Sequence, residues 1–226
     1  MSSDKIVLYT APTPNGITVS ILLEELKATY GIPDYDAVKM SLNQADRGKV
    51  HNQVKADWFL ELNPAGRIPT IVHHDVPVVE TSAILLYLAA QFDKEFKFSF
   101  DPIKDPYNYS EQLQWLFFTH GGIGPMQSQA NHFIKFSTED IPYGKKRYLD
   151  ETKRLYGVLA IRLQDREYLT GPGRGKYALA DIKAYALVSK AWFIDIDLGE
   201  WPPLKKWVER IAERPAVQAG ETIVTW

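Results

Sequence analysis

The apolar period of this chain changes once along its length. Up to Phe92, short runs rich in β-forming residues alternate with helical stripes, whereas beyond Pro106 the apolar residues recur only at helical spacing. Such a pattern predicts an α/β first part and an all-α second part. Ile6 to Thr10 breaks into Ala11-Pro12-Thr13-Pro14-Asn15-Gly16, which reads as a strand entering a loop. Val19, Leu22, Leu23 and Leu26 then fall at i, i+3, i+4 and i+7, one face of a helix that Gly31-Ile32-Pro33 stops. Tyr35 to Met40 has the length and alternation of a second strand, completing a right-handed βαβ unit with parallel strands.

Residues 41–57 are polar and irregular and carry no readable element. Arg67 to Val72 predicts a strand opened by a proline, His74-Asp75 a turn, and Val76 to Val79 the returning strand of a hairpin. Glu80-Thr81-Ser82 heads a helix whose apolar residues Ile84, Leu85, Leu88 and Phe92 share a face. Lys94 to Pro106, with two Asp-Pro pairs and mixed charge, reads as a linker. The expected division is therefore 1–93, a linker at 94–106, and a helical domain at 107–226.

In the second part, Ser110 is the expected N-cap of a helix running through Trp115 and Phe118. Gly121-Gly122 and Pro125 are expected to bend or interrupt it. Leu155, Val158, Leu159 and Leu163 form another stripe, and Ala180 to Trp192 a further helix after the Gly171-Pro172-Gly173 break. Leu204, Trp207, Val208 and Ile211 line the last helix, opposite Lys205, Lys206, Glu209 and Arg210.

Composition narrows the chemistry. The sequence has no cysteine, which excludes a disulfide scaffold, a thiolate metal site, a CxxC redox pair and a cysteine nucleophile. A formal net charge of -2 gives no electrostatic footprint for nucleic acid or an anionic membrane. The run Lys145-Lys146-Arg147 reads as a solvated helix face. Met1 to Lys5 is too short and polar for a signal peptide, and no later stretch is long and apolar enough to cross a bilayer. The expected setting is cytoplasmic.

Three short features carry chemistry. Thr13-Pro14-Asn15-Gly16 stands at a predicted helix start, where unpaired N–H groups and a partial positive charge attract an anion such as a thiolate. Lowering a thiol by about two units from ~8.5 requires roughly 2.7 kcal/mol. A helix terminus supplies about 0.3–1 kcal/mol, up to ~2 when partly buried, and one hydrogen bond to a charged group ~1.5–3. Together these suffice without a protein cysteine. Ile68-Pro69 opens a strand; a cis bond there would turn the Ile68 backbone toward an extended peptide, although the base rate for X-Pro bonds favours trans. Glu80-Thr81 suits an α-amino-acid head group, with a carboxylate for an ammonium and a hydroxyl for a carboxylate. An ordinary cap is the plain alternative at both helix starts.

In order, the segments Tyr9-Thr-Ala-Pro-Thr-Pro-Asn15-Gly16, Asn63-Pro-Ala-Gly-Arg-Ile68-Pro69-Thr-Ile71 and Glu80-Thr81-Ser82-Ala-Ile-Leu-Leu-Tyr-Leu resemble cytosolic glutathione transferases. The resemblance is narrowest to the class of the fungal nitrogen-regulating prion protein and bacterial Nu-class enzymes. Gln114-Trp-Leu-Phe-Phe118, Gly124-Pro125-Met126, Asn131-His132-Phe133 and Arg214-Pro215-Ala216-Val217 extend it over nearly the whole chain. It implies a thioredoxin-like N-terminal domain and an all-α C-terminal domain, the glutathione transferase fold, acting as a homodimer with glutathione as co-substrate and no metal. It implies that Pro69 is cis, that the Ile68 backbone pairs with the cysteinyl unit, and that Glu80 and Thr81 hold the γ-glutamyl end. Asn15, with Thr13 near it, would face the thiolate; Tyr9, at the end of the first strand, is the other candidate and reads more simply as strand core. Arg67 sits beside the proline bond, and Gln53, with His51 near it, would reach the glycyl end.

The same resemblance implies a second-substrate pocket between the halves, with Trp115, Phe118, Met126 and Phe133 as apolar walls and Arg147 for an anionic partner. Helix–helix packing is the plain alternative for any one of these aromatics. One departure is visible: family members carry Ser or Thr three residues before Asp181, where this chain has Ala178, so a cap bond is expected to be lost. The function implied is thiolate transfer to a small hydrophobic electrophile, or reduction of a disulfide or peroxide, in detoxification. The alternative is a non-catalytic ligand-binding or regulatory protein on the same fold.

Overall fold

The structure is a computed structural model that describes residues 5–223 and 225. It divides into two compact units. One comprises the described residues up to Lys94 together with those from Pro215 onward, and the other is Glu95–Arg214.

The first unit is built on a four-stranded sheet. Its elements are β1 (Ile6–Thr10), α1 (Pro14–Tyr30), β2 (Tyr35–Lys39), α2 (Asp57–Leu62), β3 (Thr70–His73), β4 (Val76–Val79), α3 (Thr81–Phe92) and, from the end of the chain, a helix over Pro215–Thr222. The strand order is β2-β1-β3-β4, with β1 parallel to β2 and the other pairs antiparallel. On β1, Ile6, Leu8 and Thr10 are buried and alternate with half-buried residues, the period-two pattern of a strand packed on one face. Thr13 caps α1, its Oγ1 accepting from the Gly16 N–H at 3.3 Å. Gly31 ends the helix in the left-handed region, φ 73°, and donates its N–H to Lys27 O. Val19, Leu22, Leu23 and Leu26 are fully buried, and α1 packs on α3 and on the Pro215–Thr222 helix. His74 and Asp75 both have positive φ, the conformation of a two-residue type I′ hairpin turn.

Two expectations for this unit are corrected. The third strand begins at Thr70, not Arg67, because the Ile68–Pro69 bond is cis and the ladder opens after it. A second cis bond, Ile32–Pro33, has no sequence signal. The irregular stretch after residue 40 contains a 3-10 turn, Gln44–Asp46, and is followed by the short helix α2.

The second unit is helical. A continuous helical run comprises α4 (Pro106–Phe118), a π turn over Thr119–Ile123, α5 (Gly124–Asn131) and a second π turn over His132–Phe136. Then come α6 (Pro142–Arg162), α7 (Leu179–Val188) and α8 (Pro202–Ala212); the terminal helix of the first unit is α9. Every residue of α7 is buried, so the helix forms the axis of the unit. Tyr156 on α6 donates its hydroxyl to Gln127 Oε1 at 2.9 Å, and Gln127 Nε2 donates to Leu187 O at 2.8 Å, a satisfied polar link through the core. Residues 95–105 are tied to this unit: Leu179 N–H donates to Phe98 O at 2.9 Å and Lys176 Nζ to Phe96 O at 2.8 Å.

Here too the structure corrects the sequence. Asp105, not Ser110, caps α4: its carboxylate accepts from the Asn108 N–H, and Pro106 takes the first position. The interruption expected at Gly121 and Gly122 takes the form of a π turn over Thr119–Ile123, after which the helical run continues. Pro125 stands in the first turn of α5. The helix expected to reach Trp192 ends at Val188, followed by a 3-10 turn over Ala191–Ile194.

Candidate functional site

Register assembles the site in the first unit. Tyr9 pairs with Thr70 and Thr70 with Val79, so the end of β1, the start of β3 and the end of β4 lie on one line across the sheet. On the other side Thr10 pairs with Lys39, and the Met40 N–H donates to Thr10 O at 2.7 Å. The segments leaving this end of the sheet are those singled out in the sequence. They are Thr13–Gly16 after β1, Arg67-Ile68-Pro69 before β3, Glu80-Thr81 after β4, and the loop after β2 that bridges Ser41 to Gln53.

The first turn of α1 is seated tightly. A Cβ on Gly16 would lie 2.2 Å from Ala11 O and 2.5 Å from Thr10 Oγ1, so the absence of a side chain is what lets the turn rest on the strand end. Asn15 is exposed in this turn, Thr13 is half-buried, and no acidic residue shares the turn, so the positive end of the helix dipole is not offset locally.

The cis Ile68–Pro69 bond is held from below by Asn63. Its buried amide donates to Arg67 O at 2.9 Å and Thr70 Oγ1 at 3.0 Å, while its Oδ1 accepts from the Ala65 N–H at 3.0 Å. Arg67 is exposed above it and Ile68 half-buried. Glu80, also exposed, has φ 69° and ψ 117°, a conformation costly for a residue with a Cβ, immediately before α3. Thr81 and Ser82 behind it are buried.

Gln53 is fully buried and its amide is engaged within its own loop, donating to Asn43 O at 3.3 Å and accepting from the Lys55 N–H at 2.6 Å. His51 is exposed, with its ring stacked on Trp58 at 5.2 Å; the Trp58 indole N–H donates to His51 O at 2.9 Å. The Tyr9 ring packs against Trp58 and Phe59, 5.6 and 5.7 Å between centroids, over the buried cluster of Met40, Val54 and Phe59.

In the helical unit the five predicted pocket residues separate into groups. Trp115 and Phe118 pack edge to face at 5.5 Å, with the Arg162 guanidinium over the Trp115 ring. Met126 and Arg147 line one cavity of about 590 Å³. Phe133 stacks on Tyr148 of that cavity at 5.4 Å and 13°. Sequence reasoning missed Tyr143, Lys146, Tyr148, Asp150, Glu151 and Arg154, which also line it. A signal was present: Tyr143, Arg147, Asp150 and Arg154 recur at i, i+4, i+7 and i+11, one face of α6. Among the described residues no group of His, Asp or Glu is placed to hold a metal ion, and no helix is long and apolar enough to cross a membrane.

Comparison with known proteins identifies relatives over nearly the whole chain. The sequence model of the glutathione S-transferase N-terminal domain matches residues 4–90, and that of the C-terminal domain residues 113–215. The disulfide-bond oxidoreductase YfcG of Escherichia coli is 37% identical, the match covering 93% of this chain and 92% of that protein. Glutathione S-transferase 2 of Schizosaccharomyces pombe is 33% identical over 94% and 93% of the two chains. Among solved structures, a glutathione transferase homolog from Lodderomyces elongisporus with two glutathione molecules per subunit superposes with a TM-score of 0.87 at 38% identity, covering 99% of this chain and 100% of that one. A glutathione transferase from Pseudomonas putida with one glutathione disulfide per subunit gives 0.81 at 31%, covering 98% and 93%.

Proposed function

The chain belongs to the glutathione S-transferase family, and from that premise we propose that it is an enzyme that binds glutathione as a thiolate and uses it on electrophiles and disulfides. The observation that carries this reading is the convergence of Thr13–Gly16, Ile68–Pro69 and Glu80-Thr81 at one end of the sheet. An extended tripeptide lying there pairs its cysteinyl backbone with Ile68, which fixes it in register as a strand would. Glu80 holds the ammonium and Thr81 the carboxylate of its γ-glutamyl end, with Arg67 at the rim. The thiol then points at the first turn of α1, where the dipole, Asn15 and the Thr13 hydroxyl favour the charged form. Gln53 acts through the loop it holds, and His51 is the exposed group beside it for the glycyl end.

Conjugation forms a bond from the thiolate sulfur to an electrophilic carbon, and the bond from that carbon to its leaving group breaks, the group departing with the electron pair. In disulfide reduction the thiolate attacks one sulfur of a mixed disulfide, the S–S bond breaks, and the other sulfur leaves as a thiolate that takes a proton from water. With no cysteine in the chain, every sulfur in that exchange belongs to substrate. Arg147 and Met126 belong to the surface for the second substrate, and Trp115, Phe118 and Phe133 to the packed aromatics of the helical unit that bears it. A homodimer in a reducing cytoplasm completes the reading.

The test follows glutathione itself. Ultraviolet titration of thiolate in the complex is expected to give a thiol pKa about two units below that of free glutathione. Asn15→Ala moves it back by roughly one unit or more, equivalent to ~1.4 kcal/mol. A pKa unmoved on binding, together with no turnover of a chloronitrobenzene, a hydroperoxide or a mixed disulfide, would sink the proposal.

A further inference from the structure

Six asparagines occur in the sequence, and of these Asn15 alone is followed by glycine. Glycine has no Cβ to shield its backbone nitrogen, which can therefore reach the side-chain carbonyl carbon of the asparagine before it. The fold does not let this pair be changed. A Cβ at position 16 would lie 2.2 Å from Ala11 O, so any residue that would shield the nitrogen is excluded. Asn15 itself is exposed to water. The close seat of α1 on the strand end thus carries a chemical liability with it.

The first turn of α1 restrains that chemistry. Thr13 O accepts from the Ile17 N–H at 2.9 Å and Pro14 O from the Thr18 hydroxyl at 2.8 Å, which keeps Asn15 in helical backbone. Closing a succinimide ring between Gly16 N and Asn15 Cγ requires the Asn15 ψ to rotate out of the helical region. The attacking nitrogen must also give up its proton, and that N–H is donated to Thr13 Oγ1. At 3.3 Å the bond is long, and it stands in a terminal turn, where local opening costs least.

We propose that Asn15 is a site of spontaneous deamidation, gated by the Thr13 cap. When the turn opens, the Gly16 nitrogen loses its proton to solvent and bonds to Asn15 Cγ. The bond from Cγ to the side-chain nitrogen breaks, and that nitrogen takes a proton from water and leaves as ammonia. Water then opens the succinimide at either carbonyl and leaves aspartate or isoaspartate, with no change of oxidation state. Either product puts a carboxylate at the positive end of α1, where it takes up the partial charge that would favour a thiolate. The resulting loss of activity rests on the transferase reading above; the modification does not.

Trypsin releases residues 6–27 as one peptide in which Asn15 is the sole amide side chain, so conversion there reads directly as a change in peptide mass. Full-length protein is aged in neutral buffer as folded wild type, wild type unfolded in urea, Thr13→Ala, Thr13→Ser and Ile71→Val. Conversion is expected to be about tenfold or more faster in urea than in the folded wild type. T13A should convert roughly fivefold faster than the folded wild type, the scale of a lost cap, and T13S, which keeps the hydroxyl, within about twofold of it. I71V trims a fully buried side chain of β3 and leaves the cap in place, so its rate should also stay within about twofold. No conversion in urea, or equal rates in urea and in the folded wild type, overturns the proposal. So does a T13A rate equal to that of the wild type, or an I71V rate that matches T13A, since unfolding rather than the cap would then set the pace. Turnover with glutathione that falls in step with the converted fraction supports the loss of activity, and full turnover by converted protein removes it. Where fresh protein turns over no substrate, the transferase reading fails by itself, and the peptide masses still decide the site.

Discussion

Asp181 lies fully buried at the head of α7, where its carboxylate accepts from Leu169 N–H and Trp207 Nε1–H, both at 2.9 Å, and from Ala178 N–H at 3.1 Å. The sequence suggests a lost cap at Ala178, and the side-chain half of that cap is indeed missing. The reverse half, from the acid back to the backbone, is intact and extended by two further donors. Burial pushes the carboxyl up to about 7, against the pull of those three bonds. The folded chain therefore binds a proton that the unfolded chain, with its carboxyl near 3.9, releases between those values. This group's contribution to stability is present at low pH, declines as pH rises from about 4, and levels off above about 7. Urea unfolding is expected to show that decline in the wild type and a flatter profile in Asp181→Asn, whose side chain does not titrate. Parallel profiles for the two proteins would refute the assignment.

Among the elements, α1 best shows how local structure serves the site. Its first turn carries Thr13 and Asn15, and its seat on β1 depends on Gly16. Gly16→Ala drives a methyl into Ala11 O and is expected to lift the turn, an overpacking cost of about 1–3 kcal/mol. The helical circular dichroism should persist while KM for glutathione rises roughly tenfold or more; an unchanged KM would show that the turn is not part of the binding surface. This element was legible because its signals are local: a proline-rich break, a stripe at helical spacing, and a glycine stop. The hairpin was equally legible from His74-Asp75. By contrast α2 is six residues long with only Phe59 fully buried, too short for a stripe to register. The π turn at Thr119–Ile123 was invisible because Gly-Gly followed by proline encodes a break in isolation, and only packing against α7 and α6 keeps the helix going. Of the candidate site residues, Asn15, Ile68, Glu80 and Thr81 could be picked from short motifs. That Gln53 turns inward depends on Asn43, ten residues away, which no local pattern reports.

For the whole molecule, the helical unit leaves several large apolar side chains exposed. Ile103, Tyr107 and Phe117 are 87%, 78% and 53% exposed, and Ile161 on α6 is 75% exposed. These are side chains that the proposed homodimer would cover. Sedimentation is expected to give twice the chain mass for the wild type and the chain mass for Tyr107→Glu/Phe117→Glu, because a buried charge on each partner costs several kcal/mol when unpaired. A wild type that sediments as a single chain down its whole concentration range would end that proposal.

The chain leaves the first unit at Lys94 and comes back to it at Pro215, where α9 closes over α1. Synthesis runs in one direction, so a ribosome delivers the sheet, α1 and the loops at the candidate site long before it delivers their cover. One flank of α1 stays wet while all of the helical unit emerges. Completion of the first unit thus waits for Pro215–Thr222, and a chain cut before that helix would hold a finished helical body beside an unfinished half.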